Sequence, residues 1–179
     1  MEATSRKNNY GLIYGIIAGL VVCIITLLQY LGGLDMYLSP VGYVSYLVII
    51  VMAILAGIRQ KKDNGGFLEF SEALKASFTV FALALLLQTL FTFILFNYID
   101  VPFKQAVSQE IMNKAENMMK KMGESDSRID QALENERGKD QFALSSVMLG
   151  YGISCIMSFL ICLIISVSIR KSKPVFDNI

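Results

Sequence analysis

The sequence predicts an all-α membrane protein, with four transmembrane helices and an extracytoplasmic amphipathic helical hairpin between helices three and four. Three observations carry that expectation. Hydrophobic residues make up 54% of the 179, with a mean hydropathy of +0.53, above the roughly 45–50% apolar usage of soluble domains. The excess is gathered into four uncharged blocks, Gly11–Leu31, Met36–Ile58, Ala76–Ile99 and Phe142–Ile169, of 21, 23, 24 and 28 residues. The long link Asp100–Gln141 carries a mixed, amphipathic pattern instead.

Each block meets the roughly 20 residues a helix needs to cross a hydrocarbon core about 30 Å thick. Lipid offers the backbone no hydrogen-bond partners, so the blocks are expected as helices rather than open strands. The spans are placed at about 11–31, 38–58, 74–99 and 143–169, with the hairpin insert at about 101–140, all within one domain covering 1–179. Arg6 and Lys7 precede the first block as they would precede a signal peptide, but its apolar run is too long and no A-x-A-like site follows. "LVVC" at Leu20–Cys23 lacks the small residue that lipoprotein processing wants before the cysteine, so the first helix is expected to be retained.

Within "YGLIYGIIAGLVVC", Tyr10–Cys23, three glycines recur at intervals of four: Gly11, Gly15 and Gly19. Glycine costs a helix in water roughly 1 kcal/mol relative to alanine. In lipid, small faces let backbones approach closely. The fourth span has a ladder at the same interval, Gly150, Ser154, Ser158, Cys162 and Ser166. The two seams are expected to pack helix one against helix four, the alternatives being a homo-oligomer contact through the first helix and a solute path. Gln88 and Thr92, four apart in the third span, share a face. They suit interhelical hydrogen bonds or, alternatively, a polar path for a neutral solute.

Local signals place the boundaries. Ser39 offers an N-cap hydroxyl and Pro40 sits at the first helical position, where its missing N–H does no harm. Gly65 and Gly66 allow a turn outside ordinary backbone space, Ser71 is expected to cap a helix beginning at Glu72, and Glu72 and Lys75 can pair. Lys and Arg flank the N-terminal tail (Arg6, Lys7), the second link (Arg59, Lys61, Lys62, Lys75) and the C-terminal tail (Arg170, Lys171, Lys173), whereas the first link, Gly32–Ser39, has none. Positive charge is retained on the cytoplasmic side, so both termini are expected inside and the third link outside. That link holds seven basic and nine acidic residues, a net charge of −2 that permits an external location. Tyr30, Tyr37 and Tyr98 would sit at the outer interface and Tyr10 at the inner one.

The third link reads as helical. Pro102 can start a helix in which Phe103, Val107, Ile111, Ala115, Met118 and Met122 recur every three or four residues as one apolar stripe. Gly123 is placed to end it, and Ser125 or Ser127 to cap a second helix carrying Ile129, Ala132 and Leu133. The two helices can bury their stripes against each other, or the stripe can receive a partner protein or lie in the lipid interface.

Chemistry finds little support in this composition. The chain has no histidine, its four apolar blocks hold no ionisable Asp, Glu, Lys or Arg, and no nucleotide-loop or metal-ligand spacing occurs. Cys23, Cys155 and Cys162 fall at membrane depth without a CxxC pair and read as small apolar side chains. No catalytic residue, cofactor, metal or nucleic-acid partner is expected.

From Lys61 the sequence reads "KKDNGGFLEFSEALKASFTVF". With "NYGLIYG" ahead of it, "IDVPF" at Ile99–Phe103 and a closing "IRKSK", it resembles the bacterial integral membrane proteins of the domain of unknown function 4199 family, over nearly the whole chain. Val101 departs from the adjacent Asp-Pro expected there. The resemblance implies four spans and an inner-membrane home, and brings no activity or site residue with it. The function expected is a non-catalytic interaction or envelope-associated component, with the bilayer and a membrane or periplasmic protein as partners. A small transporter or channel for a neutral solute is the alternative.

Overall fold

The computed structural model describes residues 9–137 and 140–172. Arg6, Lys7 and Lys173, the outermost cations of the two tails, lie outside the described residues. The described residues are mostly helical, with no strand among them. Seven α-helices follow in order: α1 (Tyr10–Leu31), α2 (Gly33–Tyr37), α3 (Tyr43–Asp63), α4 (Phe70–Ile94), α5 (Val101–Lys121), α6 (Asp126–Arg137) and α7 (Leu144–Ile169). A 3₁₀ turn, Pro40–Gly42, leads into α3, and a π-helical turn, Leu95–Ile99, extends α4. Among the described residues, four segments are long and apolar enough to cross a membrane: Tyr10–Leu31, Pro40–Asp63, Phe70–Ile99 and Leu144–Ile169.

Most ends follow from their local residues. The Ser39 hydroxyl accepts from the Val41 amide at 3.4 Å with Pro40 beside it. Gly123, at φ +79°, stops α5, and α6 starts directly after Ser125. Gly65 and Gly66, at φ +71° and +89°, turn the chain out of α3. The start of α4 differs from expectation. It begins at Phe70, with Ser71 already inside the first turn and Glu69 extended at the N-cap. The reason is tertiary: Leu68 and Lys171 exchange backbone hydrogen bonds at 2.8 Å as an isolated antiparallel bridge, which holds the chain extended up to Glu69.

The same end of the bundle gathers the N-terminus of α1, the α3–α4 link and the C-terminus of α7. The Tyr10 hydroxyl donates to Asp63, Lys61 Nζ to the Ile169 carbonyl at 2.9 Å, and Asn64 Nδ2 to Glu72 at 3.0 Å. Lys171 lies over the Phe67 ring, 5.7 Å from its centroid.

Helix α4 is the centre of the bundle, packed against α1, α3 and α7. The expected pairing of the first span, α1, with the fourth span, α7, is therefore corrected. The glycine seam of α1 receives α4: a methyl group added at Gly11 would lie 2.8 Å from the Ala76 carbonyl oxygen, and one at Gly15 3.1 Å from Leu83 Cβ. At Gly19 it would meet Leu87 Cδ1 at 2.5 Å. The lower part of the α7 ladder, Ser158, Cys162 and Ser166, is buried, and Ser166 Oγ lies 3.3 Å from Ser77 Oγ of α4. The upper part diverges: Ser154 is half-buried, and Gly150 is exposed with nothing within 4 Å of an added methyl. The cause is α4 itself, whose Ala73, Ala76, Ser77, Val80 and Ala84 are buried on more than one flank, so two small-residue seams dock on one narrow central helix.

Candidate interaction site

The bundle end opposite the Leu68–Lys171 bridge carries a polar and aromatic node that mounts α5 and α6. It begins with the π turn. The Asp100 amide bonds to the Leu95 carbonyl, five residues back, at 2.8 Å. Such turns insert one residue into a helix and re-aim the side chains after it. Asn97 then turns inward, its Nδ2 donating to the Phe93 and Phe142 carbonyls, both at 3.0 Å, and its Oδ1 accepting from Lys104 Nζ at 3.0 Å.

Asp100 works in two directions. Oδ1 accepts from the Phe103 amide at 2.9 Å as the N-cap of α5, and Oδ2 accepts from the Tyr30 hydroxyl at 2.8 Å. Pro102 follows in the first turn, so the cap serves amides that proline does not supply. Val101 between them is the first residue of α5, which accommodates the departure from an adjacent Asp-Pro.

Lys104 closes the node by reaching Asp140 Oδ2 at 2.6 Å. The Lys104 ammonium beside it holds the Asp140 carboxyl below the usual carboxylate range. Asp140 also accepts from the Phe142 amide through Oδ1 at 2.9 Å, and its carbonyl from Ser146 at 2.9 Å, fixing the entry to α7. Around these polar atoms stand Tyr30, Tyr37, Phe96, Phe103 and Phe142, with ring centroids 4.7–5.9 Å apart. Edge-to-face aromatic pairs add about 0.5–1.5 kcal/mol beyond area burial. Burial raises the Tyr37 phenol above its usual range, opposed by a hydrogen bond with Thr92.

The predicted stripe is divided. Phe103, Val107 and Ile111 pack on the bundle end, against Tyr30, Leu34, Leu38 and Phe96, rather than against α6. Ala115, Met118 and Met122 are exposed. Helix α6 instead lies along a neighbouring face of α5 and buries Ile129 and Leu133. Between the two helices runs an open groove of about 380 Å³. Met112 and Leu133 form its apolar part, Gln105, Gln109 and Asn113 place carboxamides along it at intervals of four, and Lys104 and Glu116 stand at its margins. Apolar periodicity does not reveal this groove because most of its residues are polar; the four-residue interval of Gln105, Gln109 and Asn113 is the signal that the sequence carries.

Of the intramembrane polar residues, Gln88 and Thr92 are half-buried on α4. Thr92 is engaged by Tyr37. Interhelical bonds are made by Ser77 with Ser166, by Asn97 with the Phe142 carbonyl and by Tyr151 with the Ala82 carbonyl. Gln29 Nε2 and Ser45 Oγ are buried without a hydrogen-bond partner. All three cysteines are free thiols.

A four-span helical membrane bundle with a two-helix insert mounted on one end is the class these features define. The chain belongs to the family of proteins of unknown function DUF4199, whose model matches residues 13–171. No curated protein and no solved structure matches it.

Proposed function

We propose that this protein is a non-catalytic, membrane-anchored interaction module of the bacterial inner membrane, and that α5 and α6 are its working part, held outside the cytoplasm. The groove between α5 and α6 carries this reading. Carboxamides both donate and accept hydrogen bonds, so Gln105, Gln109 and Asn113 in a row suit the backbone of a polypeptide segment, with Met112 and Leu133 receiving its apolar side chains. Methionine adapts its shape to varied partners. The occupant is a segment of a membrane or periplasmic protein. The topology rests on charge: Arg59, Lys61, Lys62, Lys75, Arg170 and Lys171 belong to the end opposite the insert, and cytoplasmic flanks are the ones that retain such cations.

The test is site-specific photo-crosslinking from Gln109 in native membranes, followed by identification of the adduct. A discrete protein adduct, lost when Gln105→Arg fills the groove, supports the reading. Absence of any adduct from Gln105, Gln109 and Asn113 overturns it. Flux of a neutral solute in proteoliposomes, abolished by Gln88→Leu, would replace it with a carrier.

A further inference from the structure

The course of α5 across the bundle carries a second, independent assignment. The helix leaves the end of α4 at Val101, and its apolar stripe meets successive parts of the bundle end. Phe103 stacks edge-on against Tyr30 and Tyr37, at 4.9 and 5.7 Å, where α1 passes into α2. Val107 is fully buried and Ile111 packs in the same cluster. Lys114 Nζ then donates to the Leu38 carbonyl at 3.3 Å, in the link that leads to α3. Helix α5 therefore crosses from the third span over the end of the first toward the first link, lying over the bundle end.

Beyond Leu38 the stripe continues without a covering element. Met118 and Met122 are 65% and 71% exposed. Residues three, four and seven apart share a helix face, so these methionines point the way Val107 and Ile111 point, toward the level of the span ends. No described element of the bundle covers them there, and the level is that of the ends of the apolar spans, where a membrane's headgroup region would lie. Lys114 and Lys121, seven apart, flank the methionines on the same face, long enough to extend their ammonium groups toward lipid phosphates while the stems lie along apolar surface. The groove formed with α6 occupies a different side of α5, lined by Ser108, Met112 and Glu116.

We propose that the distal half of α5 is an interfacial membrane anchor, with Met118 and Met122 inserted at the headgroup–acyl boundary and Lys114 and Lys121 at headgroup level. The anchor would hold the insert flat against the bilayer with its groove open to the aqueous side. It rests on the bundle being a membrane protein and on neither the identity of a groove partner nor the side on which the insert lies.

The chain contains no tryptophan, which supplies a clean probe. Full-length Met122→Trp and Met118→Trp proteins in liposomes carrying acyl-brominated lipid are compared with Gln105→Trp, on the groove side. Strong quenching of both methionine-site reporters by bromolipid, with Gln105→Trp quenched by aqueous iodide instead, is the expected result. Quenching of the methionine-site reporters by iodide and not by bromolipid overturns the anchor. So does a blue-shifted emission insensitive to both quenchers, which would mean that protein covers the stripe. Two reporter positions keep the test intact if one substitution disturbs folding, and a failed groove crosslink leaves its outcome unaffected.

Discussion

Lys104 and Asp140, 36 positions apart, meet at 2.6 Å and tie the first turn of α5 to the entry of α7. Lys104 also serves Asn97, so one ammonium joins the π turn, the insert and the last span. The Lys104 side chain is 15% exposed and that of Asp140 46% exposed. Because Asp140 is largely open, the pair is worth no more than about 1 kcal/mol by itself. The Lys104–Asn97 bond adds about 1 kcal/mol.

Acid should loosen this junction. The folded Asp140 carboxyl titrates below its unfolded value, near 3.9 for an aspartate. Its contribution is therefore present above pH 4 or so and is lost as pH falls through the lower folded value. Hydrogen exchange in the first turns of α5 and α7 should accelerate in that acid range. Asp140→Asn should accelerate it at neutral pH and remove the acid dependence; an unchanged acid response in the variant would place its origin in another group.

Substitutions in the two small-residue seams should separate cleanly. Gly15→Leu forces a side chain against Val80 and Leu83 of α4 and should cost about 1–3 kcal/mol or more in detergent stability. Gly150→Leu, where an added methyl meets nothing within 4 Å, should stay within about 0.5 kcal/mol of the parent. Thermal unfolding in one detergent reads both. Equal losses would contradict the docking of α1 on α4.

Asp100 should prove more costly to lose than Tyr30. Asp100→Ala removes the N-cap of α5 and the acceptor of the tyrosine hydroxyl together, at about 1–2 kcal/mol. Tyr30→Phe removes only the second bond, at about 0.5–1.5 kcal/mol. Asp100→Asn keeps a capping oxygen and should recover most of the loss. Proteolytic susceptibility of the α5–α6 insert ranks the three.

Ser77 and Ser166 should couple weakly across α4 and α7. Each hydroxyl has one proton and also lies 2.6 Å from an acceptor in its own helix, the Ala73 carbonyl for Ser77 and the Cys162 carbonyl for Ser166, so the 3.3 Å contact across the interface competes with those bonds. A double-mutant cycle with alanine should return a coupling of about 0.6 kcal/mol, the average for polar pairs between membrane helices. Zero coupling would leave the contact as packing alone.

Local chemistry made several features readable without the fold. Uncharged length announced the spans, because lipid penalises charge and open backbone wherever they occur in the chain. Ser39–Pro40 and Gly123 announced helix ends, because caps and left-handed turns depend on neighbouring residues. Phe103, Val107 and Ile111 announced a buried face by their spacing. What covers that face was another matter: the π turn at Leu95–Ile99 rotates α5 onto the end of α1, leaving α6 to a different side. Five residues of an uncharged run contain no signal for that extra residue of helix.

The sequence by itself determined which residues are at membrane depth, which helix faces are small and which link is amphipathic, since each follows from composition and period within one segment. The tertiary structure alone decided which faces meet. A glycine seam and a serine seam have no address, because close van der Waals contact rewards any complementary small surface. Both dock on α4, as Ala73, Ala76, Ser77 and Ala84 leave it narrow enough for neighbours on opposite flanks. The groove arises in the same way, from two helices whose polar faces acquire a shared space only when Lys104 and Asp100 have set the angle at which α5 leaves the bundle.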